Sequence, residues 1–279
     1  MNRLVRPRCS VTVSLVPEAR GGPFIFHGDL DVACARAAEL GFHAIELFPP
    51  GADALDARLL RQVLHRNRLA LAAVGTGAGW VTQGLSLTDP DPAQRTRAQA
   101  YVASIVDFAG AFGAPAILGS MQGRALGEVT RGQALEWLAQ ALEQLAPRAH
   151  AHGQPFLLEP LNRYESNLLN TVEQALTFLA TLHSRNVRIL ADLFHMNIEE
   201  TSIPAALERA GEILGHVHFA DSNRTAVGGG HTAMAPIIEA LRAVGYRGYL
   251  SAEVFPLPSP EEAARQTIES FRRWFVASG

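Results

Sequence analysis

Four short apolar runs in the second half of this 279-residue chain each finish in a side chain that can hold a proton or a cation. Phe156-Leu157-Leu158 leads to Glu159, and Ile189-Leu190-Ala191 leads to Asp192. His216-Val217 leads to His218, and Leu250-Ser251-Ala252 leads to Glu253. The separations are 33, 26 and 35 residues, each the length of one strand-plus-helix unit. Three carboxylates and an imidazole brought together would repel one another and lose hydration, and a divalent cation offsets both costs. Mainly oxygen ligation with one nitrogen suits Mn²⁺, Mg²⁺ or Co²⁺ better than a structural zinc site rich in thiolate or imidazole. Any one of the four could be a salt-bridged strand-end residue; the repetition points to one shared ion.

A second set sits just beyond. Glu165 lies six residues after Glu159, His195 three after Asp192, and Arg224 six after His218. Singly, each could be a loop salt bridge or a helix-cap partner. Their repeated placement favours a shell that binds the hydroxyls of a polyol.

These residues need a scaffold that converges strand ends. Helix-like segments ending in glycine precede short apolar runs at Gly41, Gly113, Gly153 and Gly245. Glycine just past a helix takes the left-handed conformation without a Cβ penalty. Eight such runs are expected, near 10–15, 43–48, 69–75, 115–119, 155–159, 187–192, 214–219 and 248–254. Helices are expected near 29–40, 53–67, 91–112, 131–152, 171–184, 200–211, 234–244 and 260–276. Thr171 with Gln174 makes a capping box for the fifth. Strict alternation implies parallel strands with right-handed crossovers. Eight units of about 35 residues imply a closed α/β barrel, (β/α)₈, as a single domain over 1–279. An open doubly wound sheet would often carry G-x-G-x-x-G after its first strand, and Gly21-Gly22 with Gly28 does not match it. The long connections 16–28, 76–90 and 220–233 all follow strands, which marks the functional end at the strand C-termini.

Composition removes several alternatives. The formal charge is −3, without the basic excess expected of a nucleic-acid binder. All 24 basic residues are arginine, so a Schiff-base lysine and a P-loop lysine are excluded. Cys9 and Cys34 cannot make a disulfide framework and read as reduced thiols, at least one of them packed in a core. No apolar run approaches the ~18–20 residues of a membrane span, and the N-terminal pattern lacks a signal-peptide cleavage site. A cytoplasmic protein is expected.

The segments Leu158–Asn170, Ile189–Glu200 and Leu214–Arg224 resemble the sugar isomerase/epimerase family with a xylose-isomerase-like TIM barrel. Within it they resemble the ketose 3-epimerases, and more closely the 5-keto-L-gluconate epimerases. The closer match includes Gly28-Asp29-Leu30, Gly75-Thr76-Gly77, Gly84-Leu85-Ser86-Leu87-Thr88 and Phe255-Pro256-Leu257-Pro258. The resemblance implies that Glu159, Asp192, His218 and Glu253 ligate one divalent ion, usually Mn²⁺. Glu159 and Glu253 would double as the acid/base pair, and Glu165, His195 and Arg224 would contact substrate. It also implies a small sugar or keto-sugar acid as substrate and a homo-oligomer, dimer or tetramer. One departure stands out. Similar members often carry Pro-Gly-x-Gly-His where this chain has Val227-Gly228-Gly229-Gly230-His231, and losing the proline should loosen that loop.

Other positions are open to two readings. Arg124 could pair with a substrate carboxylate or phosphate, or be an exposed arginine. Trp80, in the loop after strand three, could cover the sugar's carbon face or anchor its loop. Glu46 could touch substrate or satisfy barrel-end backbone groups. His43, His65, His150, His152 and His183 lie away from the mouth and read as surface residues.

The expected reaction is metal-dependent epimerisation at C3 of a ketose or keto-aldonate, through an enediolate. An aldose–ketose isomerase of the hydroxypyruvate or inosose type would use the same residues. A DNA-repair AP endonuclease of related barrel type would need three zinc ions. It would therefore need extra histidines near the ends of strands two to four and an Asp-x-His after strand seven. Here strand three ends in Gly75-Thr76-Gly77, strand four in Gly119-Ser120, and three glycines precede His231. A non-catalytic sugar-binding barrel would not need both glutamates.

Overall fold

A computed structural model describes residues 6–276. Eight parallel strands form its wall: β1 (Arg8–Ser14), β2 (Ala44–Phe48), β3 (Ala70–Gly75), β4 (Ala116–Leu118), β5 (Phe156–Leu158), β6 (Val187–Asp192), β7 (Leu214–His218) and β8 (Tyr249–Ala252). Each pairs with the next, and β1 pairs with β8 from Arg8↔Tyr249 to Val11↔Ala252, which closes the barrel. The principal helices are α1 (Leu30–Leu40), α2 (Ala57–Asn67), α3 (Pro92–Gly110), α4 (Arg131–Ala151), α5 (Val172–Ala180), α6 (Ile203–Ala210), α7 (Met234–Ala243) and α8 (Pro260–Phe275). The expected (β/α)₈ barrel is the fold. None of the described helices is long and apolar enough to cross a membrane.

The local chemistry follows the sequence. The four glycines expected to end helices all have positive φ, from 67° at Gly245 to 90° at Gly41. Asp29, Asp56, Asp91, Thr130, Thr171, Ser202 and Ser259 cap their helices by accepting a backbone N–H, which satisfies donors that a helix start leaves orphaned. Thr171 accepts from the Gln174 N–H as expected, but the Gln174 side chain accepts from Asn170 N–H rather than closing the box on Thr171. α5 ends at Ala180, short of the expected 184. Beyond it, Glu143 accepts from the backbone N–H groups of His183 and Ser184 and holds the turn.

Three short elements lie where loops were expected. Phe26–His27 pairs in parallel with the end of β1. Ala78–Gln83 is a helix, so Trp80 sits on a helical turn rather than in an open loop. Leu193–Glu199 is helical because Asp192 Oδ1 accepts from Phe194 N–H at 2.8 Å and caps it.

The main core lies between barrel and helices, where alternate strand residues facing outward meet helix faces such as Val102, Ile105, Leu138 and Leu142. Inside the barrel, Ala73, Ile117, Leu157 and Leu190 pack together. Cys9 and Cys34 are both buried, free thiols. The five histidines read as surface residues are all exposed.

Candidate active site

The strand ends bring the four predicted ligand side chains to one point. One donor atom from each of Glu159, Asp192, His218 and Glu253 lies within 4.8 Å of the others. His218 Nδ1 is 3.3 Å from Glu159 Oε1, 3.5 Å from Asp192 Oδ2 and 3.4 Å from Glu253 Oε2. Glu159 Oε1, Asp192 Oδ2 and His218 Nδ1 are buried and have no hydrogen-bond partner among the described residues. Orphaned polar atoms in a dry place need an explanation. Donors around a cation at ~2.1 Å stand roughly 3–3.5 Å apart, so this set fits a divalent ion.

Asp192 serves two purposes, since its Oδ1 caps the helix while Oδ2 faces the cluster. Glu159 needs space at its back. A Cβ on Gly119, just past β4, would come within 2.6 Å of Glu159 Oε2. Gln122 donates to the carbonyls of both Gly119 and Glu159 and ties the two strand ends together.

The electrostatics divide the carboxylates. Burial pushes Glu253 up to about 7, against the pull of His218 and Arg224 and with the help of Glu159 and Asp192. Burial also opposes ionisation of Asp192, but His195, His218 and Arg224 outweigh it and hold that carboxyl well below the usual range. Burial likewise disfavours charge on His218, yet Glu46 and Glu253 raise its proton affinity well above the ordinary histidine value.

The second set converges on the same place. His195 is buried, with Nε2 3.6 Å from Asp192 Oδ2 and 3.9 Å from Glu159 Oε1. Asn162 Nδ2 lies 2.7 Å from His195 Nδ1 and 2.9 Å from Glu165 Oε1. With that amide donating, His195 Nδ1 accepts and its proton sits on Nε2, facing the cluster. Arg224 donates to Glu253 Oε2 at 2.5 Å and reaches Glu165 Oε1 at 3.4 Å. Its guanidinium lies 4.9 Å over the Phe194 ring. Arg224 has φ 58°, and its carbonyl accepts from Phe255 N–H. That left-handed conformation is costly for a side chain of this size and is held by the loop around it.

The loop after β7 is tied down without the expected proline. Asp221 accepts from the backbone N–H groups of Ser222, Gly228 and Thr232 at 2.7, 2.8 and 3.0 Å. A Cβ on Gly230 would lie 2.4 Å from Asp221 Oδ1, so the glycine gives the carboxylate room. Gln266 and Ser270 of α8 donate to Val227 O. The loop is fixed by side chains instead of ring stiffness.

Glu159, Glu165, His195, His218, Arg224 and Glu253 line a cavity of about 540 Å³, inside the usual size range of small-molecule sites. Phe24 and Phe48 supply apolar wall; Trp80 and Arg124 stand at its rim. Trp80 is 42% exposed. Arg124 is half-buried, and its buried Nε has no partner among the described residues. Glu46 holds no barrel-end backbone group: its two oxygens face His216 and His218. Asn162, Asp221 and Gly119 were not singled out from sequence. Asn162 and Asp221 carried a signal, lying inside the same motifs as Glu159 with Glu165 and as His218 with Arg224; Gly119 carried none.

A closed barrel with an oxygen-rich, single-imidazole candidate cation site at its C-terminal mouth defines a class of barrel enzyme. The chain belongs to the xylose isomerase-like TIM barrel family, which matches residues 34–274. The D-psicose 3-epimerase of Ruminiclostridium cellulolyticum is 31% identical over 227 residues, 79% of this chain and 76% of that protein. The L-ribulose 3-epimerase of Methylomonas sp. is 30% identical over 247 residues, 85% of this chain and 84% of that one. The crystal structure of a D-allulose 3-epimerase from Methylomonas sp. superposes with a TM-score of 0.80 at 24% identity, covering 97% of this chain and 99% of that one.

Proposed function

We propose that this protein is a divalent-metal-dependent epimerase acting at C3 of a ketose or keto-aldonate. The observation that carries the reading is the pair of glutamates, Glu159 and Glu253, whose oxygens stand 3.3 and 3.4 Å from the one imidazole nitrogen they share. The names of the relatives support C3 as the reacting carbon. Glu159, Asp192, His218 and Glu253 would hold the ion, with Mn²⁺ preferred and Mg²⁺ or Co²⁺ as alternatives. When bound, it supplies the positive charge that stabilises an enediolate.

The chain's own residues do the rest. One glutamate takes the C3 proton onto a carboxylate oxygen, and the other returns a proton to the opposite face of that carbon. A carboxyl on each face of that carbon can take or give the proton, and Glu159 and Glu253 are the two carboxyls placed for it. His195 Nε2–H and the Arg224 guanidinium donate to the oxygens of C1 and C2, and Glu165 accepts from a hydroxyl. Trp80 covers the apolar face of the sugar. Arg124 offers its free guanidinium to a carboxylate or phosphate at the far end.

The test is proton NMR of ketoses and 5-keto-gluconates in D₂O, with enzyme and Mn²⁺, quenched by chelation, against an EDTA control. Metal-dependent deuterium at C3 with a new epimer is expected. Exchange at C1 and C2 instead would make the protein an aldose–ketose isomerase. Glu253→Gln should lower turnover by at least about 10²–10⁴-fold with its thermal unfolding curve retained. Near-wild-type turnover would sink the acid/base role.

A further inference from the structure

Glu46 stands on β2, yet its carboxylate crosses the barrel interior to two imidazoles on β7. Its Oε2 is 2.7 Å from His216 Nε2 and its Oε1 is 3.1 Å from His218 Nε2. All three side chains are buried. Among the described residues, these two rings are the only imidazole or guanidinium groups within 4.0 Å of the Glu46 carboxylate. His216 and His218 are two apart on one strand and therefore share its inward face.

An ionised carboxylate only accepts hydrogen bonds, so both Nε2 atoms carry the hydrogen. For His218 this leaves the ring's lone pair on Nδ1. Nδ1 is the atom that stands 3.3–3.5 Å from the oxygens of Glu159, Glu253 and Asp192. Which nitrogen of a histidine can ligate is set by the hydrogen bond the other makes. Resting on the metal-site reading above, we infer that Glu46 is the positioning residue of that site. It fixes the tautomer and the ring plane of His218, so that the Nδ1 lone pair points at the ion. His216 occupies the second carboxylate oxygen and keeps Glu46 from rotating away. Glu46 also borders the cavity, but with both oxygens engaged and 4% of its surface exposed it has little to offer a substrate.

The experiment compares wild type with Glu46→Gln. Free Mn²⁺ is followed by electron paramagnetic resonance during titration, and turnover is recorded as a function of Mn²⁺. Loss of such an outer partner typically weakens metal binding 10–100-fold, and that rise in Mn²⁺ Kd is the expected result. Raising Mn²⁺ should bring turnover back toward wild type, with KM for substrate moving less than about threefold. Mn²⁺ affinity within twofold of wild type would overturn the proposal. So would a loss of turnover that saturating Mn²⁺ does not relieve. If the variant does not fold, ¹⁵N-histidine-labelled wild-type protein loaded with Mg²⁺ gives the answer. Hydrogen on His218 Nε2 with a bare Nδ1 is expected, and the opposite tautomer refutes the role. A wild-type chain that binds no Mn²⁺ at all would strike down the metal-site reading itself, a result distinct from the others.

Discussion

Asn162 shows how much a neutral side chain can govern in a charged site. One amide nitrogen stands between Glu165 and His195, donating to both. Without it, His195 Nδ1 loses its partner inside a buried pocket and the ring can reverse the nitrogen it presents. Leaving such a group unpaired costs about 1–3 kcal/mol. Asn162→Ala should therefore raise KM for substrate about tenfold or more and leave Mn²⁺ affinity close to wild type. Steady-state kinetics beside a Mn²⁺ titration separates the two. A changed Kd for the ion with an unchanged KM would contradict this account.

Residues of this kind also mark how far the sequence could be read. Glu159, Asp192, His218 and Glu253 were legible because each ends an apolar run, and spacing along the chain then predicts convergence. Glu46 was visible only as a strand-end acid. Its partner His216 lies 170 positions away, and the link passes through the hollow of the barrel, where local pattern carries no information. Gly119 is similar, since its lack of a side chain matters only because Glu159 stands behind it.

Among the elements, the connection after β7 leans on one side chain. Asp221 is 1% exposed and gathers three backbone N–H groups. Burial opposes its charge, but those hydrogen bonds win and hold its carboxyl below the usual range. A carboxyl lowered in the folded state contributes stability above its unfolded pKa of about 3.9, and that stability is lost as pH falls through the folded value. The loop should therefore stay closed at pH 7 and open in acid below about pH 4. Hydrogen exchange of residues 221–232 would show it. Asp221→Asn should raise exchange there already at pH 7 and flatten the acid response. Unaltered exchange in the variant would mean that Gln266 and Ser270 hold the loop alone. The alternation of strands and helices was plain in the sequence, whereas the helix Leu193–Glu199 was not. It exists because Asp192, read as an ion ligand, has a second oxygen free to cap it.

On the scale of the whole molecule, the proposed ion would link its binding to the fold. Four side chains from β5 to β8 share one point, so an ion bound there joins half of the barrel wall. A ligand present at about 100 times its Kd stabilises the state that binds it by about 2.7 kcal/mol. For a chain of this size that corresponds to several degrees in Tm. Differential scanning calorimetry with EDTA and then with excess Mn²⁺ should show that difference. Equal midpoints would argue against a resident ion.

The barrel is unevenly loaded. Every atom proposed to touch the ion comes from the second half of the chain, while Phe24, Phe48, Trp80 and Arg124 bring the first half only to the far wall of the cavity. Descent with modification can therefore treat the two halves differently. Changes in the loops of the first half would reshape the wall that faces the sugar and leave the four proposed ion ligands in place. The inheritance is not wholly separable, because Glu46 and Gly119 reach across the seam, and a lineage that altered either would be changing its catalyst while adjusting its taste.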